Sequence, residues 1–256
     1  MSVADDWAFT VLLPVWRGDR ADHFEAAMAS LAAATVRPHE TLICQDGPLP
    51  PDLQAVVDGW ASEPSVRIVS NPGPGGLQHN LNFAARSVQT PWLARADADD
   101  INLPHRFDAQ IRFLNAHPEV SVLGGDIIEF WPDGAHRRKS MPREHAQIVR
   151  WARWRNPINH MTAFVRTDAL HACGGYPDIP MKEDYALWLR MIGAGRRLAN
   201  LDAELVRARL GEGFHRRRAG LNNLPSEWAL YQLKRRVLQI GTSRHKQRTY
   251  PLLALR

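Results

Sequence analysis

Short apolar runs alternate with amphipathic stretches through the first half of the chain. Each run of four to six mainly apolar residues predicts a buried strand. The runs cover residues 9–13, 41–44, 66–69, 91–96 and 120–123. Between them, apolar side chains recur at intervals of three and four residues, as on one face of a helix. These stripes are Phe24, Met28 and Leu31; Leu53, Val56, Val57 and Trp60; Leu77, Leu81, Ala84, Ala85 and Val88; and Phe107, Ile111 and Leu114.

This regular alternation predicts an α/β fold with a mostly parallel central sheet, right-handed crossovers and helices on both faces. Ligands of such sheets bind beyond the carboxyl ends of the strands. Polar or turn-forming segments follow the first four predicted strands at that edge. They are Pro14-Val15-Trp16, Gln45-Asp46-Gly47, residues 71–76 and residues 97–100. The sequence therefore predicts one binding edge that is built from separate segments.

The second half of the chain has a less regular pattern. It predicts a turn at residues 131–134, an exposed basic run at 136–139, a helix from near Arg143, a strand at 162–166 and a helix at 183–192. Trp151 and Trp154 lie in the first of these helices. Core packing is the expectation for both, and stacking on a sugar ring is the alternative.

A final helix is predicted to open at Pro225-Ser226, with Ser226 as its N-cap and Glu227 near its positive end. Gly241 is expected to end it. Its apolar stripe consists of Leu230, Leu233, Val237 and Ile240.

The composition is that of a globular protein, with 256 residues, 45% of them hydrophobic and 23% charged. Such a chain can bury one core or two closely packed halves. Cys44 and Cys173 are far apart, which excludes a disulfide framework and a cysteine zinc site and is typical of a reducing cytoplasm. No signal-peptide pattern opens the chain, and no stretch approaches the ~20 apolar residues of a membrane span. A cytoplasmic protein, soluble or peripheral on a membrane, is expected.

The net charge of +5 is concentrated towards the C-terminus. Residues 216–256 contain ten Lys or Arg residues and one acid, Glu227. A basic tail can bind nucleic acid, an anionic membrane surface or a phosphorylated substrate. Because the chain has no zinc finger, RNP motif or helix-turn-helix signal, no nucleic-acid partner is predicted. A peripheral contact with an anionic membrane and a merely solubilising charge both remain open.

The acidic segment Asp97-Ala98-Asp99-Asp100 directly follows the fourth predicted strand. Like charges this close raise one another's pKa values and destabilise the local fold unless something neutralises them. A divalent cation with oxygen ligands is the usual neutraliser. The alternative is a solvated turn whose aspartates cap the next helix.

Five segments together resemble family 2 glycosyltransferases of the GT-A fold. They are residues 11–16, 43–48, 71–76, 94–100 and 183–189. Their order and spacing cover roughly residues 8–220, and the Asp46-Gly47-Pro48 ending looks most like bacterial enzymes that build capsule, O-antigen or other exopolysaccharides. The resemblance implies transfer of a sugar from a nucleotide-diphosphate sugar, most commonly UDP-linked, to a saccharide or lipid-linked saccharide acceptor. It also implies Mn²⁺ or Mg²⁺.

The resemblance also assigns residues. Asp97 and Asp99 match the family's D-x-D motif, in which Asp99 would hold the metal and Asp97 would contact the ribose. Asp46 matches the acid that recognises the nucleobase, although Gln45 replaces the first of the two acids usual there. Pro14 and Trp16 stand where the family encloses the base. Arg217 matches a basic position that meets the diphosphate, with a solvated charge run as the alternative.

Asp184 matches the family's general base. Inversion at the anomeric carbon needs a carboxylate on the face opposite the leaving group, where it takes the proton of the acceptor hydroxyl. Simple capping of the helix that starts at Glu183 is the alternative for this acid. Asn80 and His160 are weaker candidates for donor or acceptor contacts; an exposed helical asparagine and a structural histidine are the alternatives.

The same resemblance divides the chain into a catalytic domain at residues 1–215 and a basic helical extension at 216–256. Within the first, about 8–120 would bind the nucleotide sugar and about 121–215 would carry the acceptor and the base. It also implies a location at the inner face of the cytoplasmic membrane. Two rival functions are a catalytically silent nucleotide-sugar-binding protein and a sugar-phosphate nucleotidyltransferase. The latter needs a glycine-rich phosphate loop where this chain has residues 14–18, Pro-Val-Trp-Arg-Gly.

Overall fold

The computed structural model of the protein describes residues 7–73, 75–210 and 223–239. The strands are β1 Phe9–Trp16, β2 Glu40–Asp46, β3 Val66–Ser70, β4 Trp92–Arg95, β5 Ile101–Asn102, β6 Val120–Phe130, β7 His136–Lys139, β8 Phe164–Arg166 and β9 Arg197–Arg209. The helices are α1 Ala21–Ala32, α2 Pro51–Trp60, α3 Leu77–Ala85, α4 Arg106–Ala116, α5 His145–Trp151, α6 Thr167–Ala172, α7 Glu183–Gly193 and α8 Leu224–Leu238, with a 3₁₀ turn at His160–Thr162.

The strands of the described ranges form one sheet in the order β3-β2-β1-β4-β8-β6-β9-β5, and β7 pairs with β6 outside this path. Strands β1 to β4 run parallel to one another, and β9 runs parallel to β6. Strand β8 is antiparallel to β4 on one side and to β6 on the other, so it joins strands from both halves of the chain. The predicted α/β fold is confirmed.

Helices cover both faces of the sheet, as the apolar stripes predict. Successive residues of a strand point to opposite faces, and β1 illustrates this. Val11 and Leu13 pack in one apolar cluster with residues of α1, α2 and α4. Leu12 packs in a second cluster with residues of α3, α6 and α7. The carboxyl ends of β1, β2 and β4 are therefore held by a core on either side.

A third cluster joins α7 to α8 and to the end of α5. Lys182 forms an ion pair with Glu227 at 2.7 Å, which links the start of α7 to the first turn of α8. The Lys234 ammonium lies 4.3 Å from the centre of the Tyr185 ring, and burial lowers the pKa of Lys234 to about 8. The Tyr185 hydroxyl donates to the carbonyl oxygen of Ala152 at 2.9 Å. These contacts place α7 between the other two segments.

Two sequence predictions about the second half are wrong in detail. Trp151 and Trp154 are not packed in the core, because α5 ends at Trp151 and the two side chains are 39% and 43% exposed. Helix α8 starts at Leu224 with Asn223 as its N-cap, so Ser226 lies inside the first turn and does not cap the helix. The predicted positions Ile240 and Gly241 lie outside the described residues.

Other predictions need smaller adjustments. The basic run at 136–139 is exposed as expected, but it forms β7 against β6. There Arg138 pairs with the buried carboxylate of Asp126 at 2.7 Å. Thr162 belongs to the 3₁₀ turn and not to β8. Among the described residues, no helix combines the length and apolar character needed to cross a membrane.

Candidate active site

Three carboxylates gather just beyond the carboxyl end of β4. Oxygen atoms of Asp97, Asp99 and Asp100 all lie within 4.8 Å of one another. Asp97 and Asp99 are half-buried, and Asp100 is 3% exposed. The acidic segment is thus a compact cluster, which the alternative of a solvated turn does not predict.

Asp100 shows most clearly that this cluster suits a cation. Its Oδ1 accepts a hydrogen bond from the backbone N–H of Arg209 at 2.8 Å. Its Oδ2 is buried and has no hydrogen-bond partner among the described residues. Burial and the nearby charges of Asp97 and Asp99 raise the pKa of Asp100 well above its usual value. A divalent cation would neutralise this charge with the oxygen ligands that such ions prefer.

Two buried arginines support the cluster from beneath. Arg95 Nη2 forms an ion pair with Asp97 Oδ1 at 2.7 Å. Arg106 donates from Nη2 to the carbonyl oxygen of Arg95 at 2.8 Å and from Nη1 to Asn102 Oδ1. Burial lowers the pKa of Arg106 to about 9. Sequence reasoning missed both residues, although a charged residue within the apolar run 91–96 was a signal that Arg95 has a buried partner.

A fourth acid approaches from the loop that follows β1. Asp19 Oδ2 accepts the backbone N–H of Trp16 at 3.0 Å. Burial raises the pKa of Asp19 to about 6, and the charges of Asp99 and Asp97 add to this effect. Asp19 therefore belongs to the same electrostatic environment. Its distance along the chain from residue 97 explains why sequence reasoning did not connect them.

The predicted nucleotide-contacting residues meet at the ends of β1 and β2. The strand register places Trp16 beside Asp46. Asp46 Oδ2 accepts the backbone N–H of Gly76 at 2.9 Å, which ties the start of α3 to this edge. Trp16 is 44% exposed, and its ring covers Gly18, where an added Cβ would lie 2.2 Å from the ring. Pro14 is half-buried on the same strand.

Asn80 does not have the exposed position expected for a helical asparagine. Its side chain is buried, and Nδ2 donates to the carbonyl oxygen of Cys44 at 2.6 Å. Asn80 thus holds the end of β2 beside Asp46. Arg217 lies outside the described residues.

Asp184 occupies the first turn of α7. Its Oδ1 accepts the N–H of Tyr185 at 2.7 Å, and its Oδ2 accepts Asn156 Nδ2 at 2.6 Å. The segment before the helix is strained, because Met181 has a φ of 67°, which a bulky side chain rarely adopts. Backbone strain of this kind is common where a functional side chain is held in place. Asn156 was not among the sequence candidates.

A buried layer connects the acidic cluster with α7. His160 Nε2 lies 3.1 Å from the Tyr176 hydroxyl, and burial, with the nearby charge of Arg95, lowers the pKa of His160 well below its usual value. The pKa of Tyr176 is raised by burial and further by the charges of Asp184, Glu183 and Asp97. Tyr176 therefore lies within electrostatic reach of both the predicted base and the acidic cluster. The hydrogen bond of His160 to Tyr176 fits the structural alternative, and a contact of His160 with donor or acceptor stays a prediction.

Comparison with known proteins supplies the family. The family model described as glycosyl transferase family 2 matches residues 10–176, a range that includes the acidic cluster and the ends of β1 and β2. The chain belongs to glycosyl transferase family 2. Two residues of the layer just described, His160 and Tyr176, fall within the matched range, whereas Asp184 follows it.

Bacterial glycosyltransferases are among the relatives of this family 2 protein. It is 36% identical over 91% of its length to the amylovoran biosynthesis glycosyltransferase AmsE of Erwinia amylovora, covering 88% of that protein. It is 29% identical over 86% of its length to the UDP-Gal:alpha-D-GlcNAc-diphosphoundecaprenol beta-1,3-galactosyltransferase of Escherichia coli, covering 80% of that protein. The predicted likeness to bacterial polysaccharide-biosynthesis enzymes is confirmed, and the protein is a glycosyltransferase.

Two solved structures share the fold of this chain. S. aureus TarS 1–349 in complex with UDP-GlcNAc superimposes with a TM-score of 0.71 at 17% identity, over 95% of this chain and 74% of that one. The mannosyltransferase PcManGT from Pyrobaculum calidifontis, in complex with GDP-Man and Mn²⁺, gives 0.63 at 15% identity, over 96% and 79%. At these identities the likeness concerns the fold alone, and the predicted GT-A fold is confirmed.

Proposed function

We propose that the protein is a metal-dependent, inverting glycosyltransferase that moves a sugar from a UDP-sugar to a saccharide or lipid-linked acceptor in cell-surface polysaccharide biosynthesis. The observation that carries the proposal is the compact carboxylate cluster at Asp97, Asp99 and Asp100, with its unpaired buried Asp100 Oδ2. A solvated surface turn does not require three carboxylates packed against buried arginines, whereas a site that binds a cation and a diphosphate does require such an arrangement.

In this proposal Asp99 would hold Mn²⁺ or Mg²⁺, with Asp100 beside it. When bound, the cation supplies positive charge that stabilises the negative charge developing on the departing nucleoside diphosphate. Asp97 accepts hydrogen bonds from the ribose hydroxyls, and its ion pair with Arg95 keeps it in position. Arg217 would add a second positive charge near the diphosphate.

The nucleobase would lie at the ends of β1 and β2. Asp46 accepts an N–H of the base edge with its second carboxylate oxygen, since Oδ2 already binds the Gly76 N–H. Trp16 and Pro14 enclose the base with apolar surface. The relatives include an enzyme named for UDP-Gal, and the structural neighbours were solved with UDP-GlcNAc or GDP-Man. We favour UDP because the relative named for UDP-Gal matches this chain in sequence, whereas the structure solved with GDP-Man shares only its fold.

Asp184 is the general base of the proposal. Its carboxylate takes the proton of the acceptor hydroxyl while that oxygen attacks the anomeric carbon from the face opposite the diphosphate. One opposing carboxylate supports direct displacement and hence inversion. We also propose that residues 1–215 form the catalytic domain, with the donor half at about 8–120 and the acceptor half at about 121–215. The basic extension at 216–256 would help to hold the protein at the inner face of the cytoplasmic membrane.

The first test is donor turnover. The purified protein with Mn²⁺ and a bacterial lipid-linked saccharide acceptor is expected to release UDP from at least one UDP-sugar and to leave GDP-sugars intact. Release of GDP alone would overturn the choice of nucleotide. Tight binding of a UDP-sugar with no release of diphosphate across a panel of such acceptors would favour the rival function, a silent nucleotide-sugar-binding protein.

Asn156 offers a test of how the base is held. Replacing Asn156 with alanine removes the donor to Asp184 Oδ2, and hydrogen bonds to charged groups contribute enough that the transfer rate should fall ~10-fold or more. Donor affinity should stay unchanged. Because the lost bond favours the ionised carboxylate, the acidic limb of the pH–rate profile should move to higher pH.

Asn115→Ala is the control for this change, because Asn115 is exposed on α4 and its side chain bonds only to Trp7 among the hydrogen bonds described. That variant should keep the wild-type profile. An Asn156→Ala protein with an unshifted acidic limb would contradict the positioning role.

A further inference from the structure

Large exposed apolar side chains are concentrated at one place on the molecule. Among the described residues they are Trp16, Trp151, Trp154, Met181, Leu224 and Trp228. Trp16 belongs to the proposed donor site. The other five lie on three segments: the end of α5, the loop before α7 and the first turns of α8. Exposed apolar residues normally occur singly over a protein surface, so several of them in one region indicate a contact surface.

These three segments meet at the first turn of α7. Asn156 binds Asp184, Ala152 accepts the Tyr185 hydroxyl, and Lys182 pairs with Glu227, the residue before Trp228. The exposed apolar residues therefore lie on the segments that contact the helix start carrying the proposed base. The surface and the acceptor side of the site are neighbours.

This surface carries exposed arginines between and beside its tryptophans. Residues 150–155 read Arg-Trp-Ala-Arg-Trp-Arg. Ala152 is fully buried and its carbonyl oxygen is engaged, so the segment is anchored by its alanine. The three arginines are exposed beside the two tryptophans, and the Arg155 guanidinium lies 6.0 Å from the centre of the Trp151 ring.

We propose that this Arg-Trp segment, residues 150–155, together with Met181, Leu224 and Trp228, is a docking surface for an anionic lipid bilayer. Tryptophan rings favour the interface between headgroups and acyl chains, and exposed arginines are attracted to anionic headgroups. Docking would place Asp184 at the membrane surface, where a lipid-linked acceptor presents its sugar. That last step rests on the proposed function; the docking itself does not.

Other occupants fit this surface less well. A second copy of the chain would bring two sets of three arginines together, and like charges across an interface are costly. A neutral sugar ring would explain the tryptophans but not the arginines between them. Stacking of the acceptor sugar on Trp151 and Trp154 is therefore the alternative that the experiment must separate.

The test measures binding of the full chain to sedimented vesicles of phosphatidylcholine, with and without phosphatidylglycerol, in the absence of donor and acceptor. Wild-type protein should bind the anionic vesicles and dissociate from them at high salt. Trp151→Ala/Trp154→Ala and Arg153→Gln/Arg155→Gln should each weaken this binding at least ~10-fold. All four side chains are exposed, so the variants should keep the thermal midpoint of the wild type.

Two controls make the result specific to this surface. Arg86→Gln/Arg112→Gln removes the same charge from exposed positions next to α3 and in α4, and Trp16→Ala removes an equally exposed tryptophan from another edge. Both should bind vesicles like the wild type. Equal weakening by the arginine control would overturn the proposal in favour of net charge or the basic extension. Unchanged vesicle binding with a raised KM for a water-soluble acceptor in the tryptophan variant would overturn it in favour of sugar stacking.

Failure of this proposal and failure of the proposed function are distinguishable. Vesicle binding is measured without turnover, so an inactive protein that binds through residues 150–155 would overturn only the enzymatic assignment. An active enzyme whose Arg-Trp variants still bind vesicles would overturn only the docking surface.

Discussion

Replacing Asp99 with asparagine should reduce sugar transfer by at least ~100-fold, the range found when one electrostatic contact to a transition state is removed. The change removes one carboxylate from a cluster whose oxygen atoms lie within 4.8 Å of one another. The protein should stay folded, because the substitution relieves repulsion on the buried Asp100 carboxylate. Excess chelator should abolish wild-type turnover, and Mn²⁺ or Mg²⁺ should restore it.

A second measurement needs no activity. Mn²⁺ should raise the thermal midpoint of the wild-type protein, since an ion that binds only the folded state stabilises it. The Asp99→Asn variant should show little of this shift. Asp58→Asn is the matched control, because Asp58 is an exposed acid on α2, and it should retain both activity and the shift. Full turnover in excess chelator would refute the metal site.

Replacing Asp184 with asparagine should lower the transfer rate by at least ~100-fold, the lower end for loss of a general base. The side-chain shape is kept, so a partner for Asn156 remains in place. Donor affinity should stay near the wild-type value, because the donor would be held by Asp46, Asp97 and the ion at Asp99. The product should be the anomer inverted relative to the donor. Single-turnover kinetics, donor titration and NMR of the product measure the three quantities.

Asp168 provides a control for the alternative that Asp184 only caps its helix. Asp168 stands in the first turn of α6 and accepts the N–H of Ala169 at 2.7 Å, just as Asp184 accepts the N–H of Tyr185. Asp168→Asn alters the same local contact at a helix start, together with an ion pair to Arg166, and should leave the transfer rate unchanged. Near-normal turnover of the Asp184→Asn enzyme, or a product that retains the donor's configuration, would contradict the assignment.

The sequence allowed the main elements of the site to be predicted where the signal is local. Residues 97–100 follow the run 91–96 directly, so the end of β4 carries the acids whatever the rest of the chain does. The same holds for Asp46 at the end of β2 and Asp184 at the start of α7. The two tryptophans were placed wrongly because helical spacing cannot tell a core face from an exposed apolar one.

The alternation of strands and helices follows from the sequence alone, because a strand buried on both sides needs an apolar run and a helix that covers it needs a stripe of apolar side chains. The surroundings of each acid depend on how the chain folds. The N–H of Arg209 reaches Asp100 across 109 positions of the chain, and Asn156 reaches Asp184 across 28. Such pairs follow from the order of strands in the sheet and from packing between helices. Neither of these produces a periodic pattern of residues that could be recognised in the sequence. Asp19 comes under the charges of Asp97 and Asp99 for the same reason, because burial beside particular charges is a property of the folded chain.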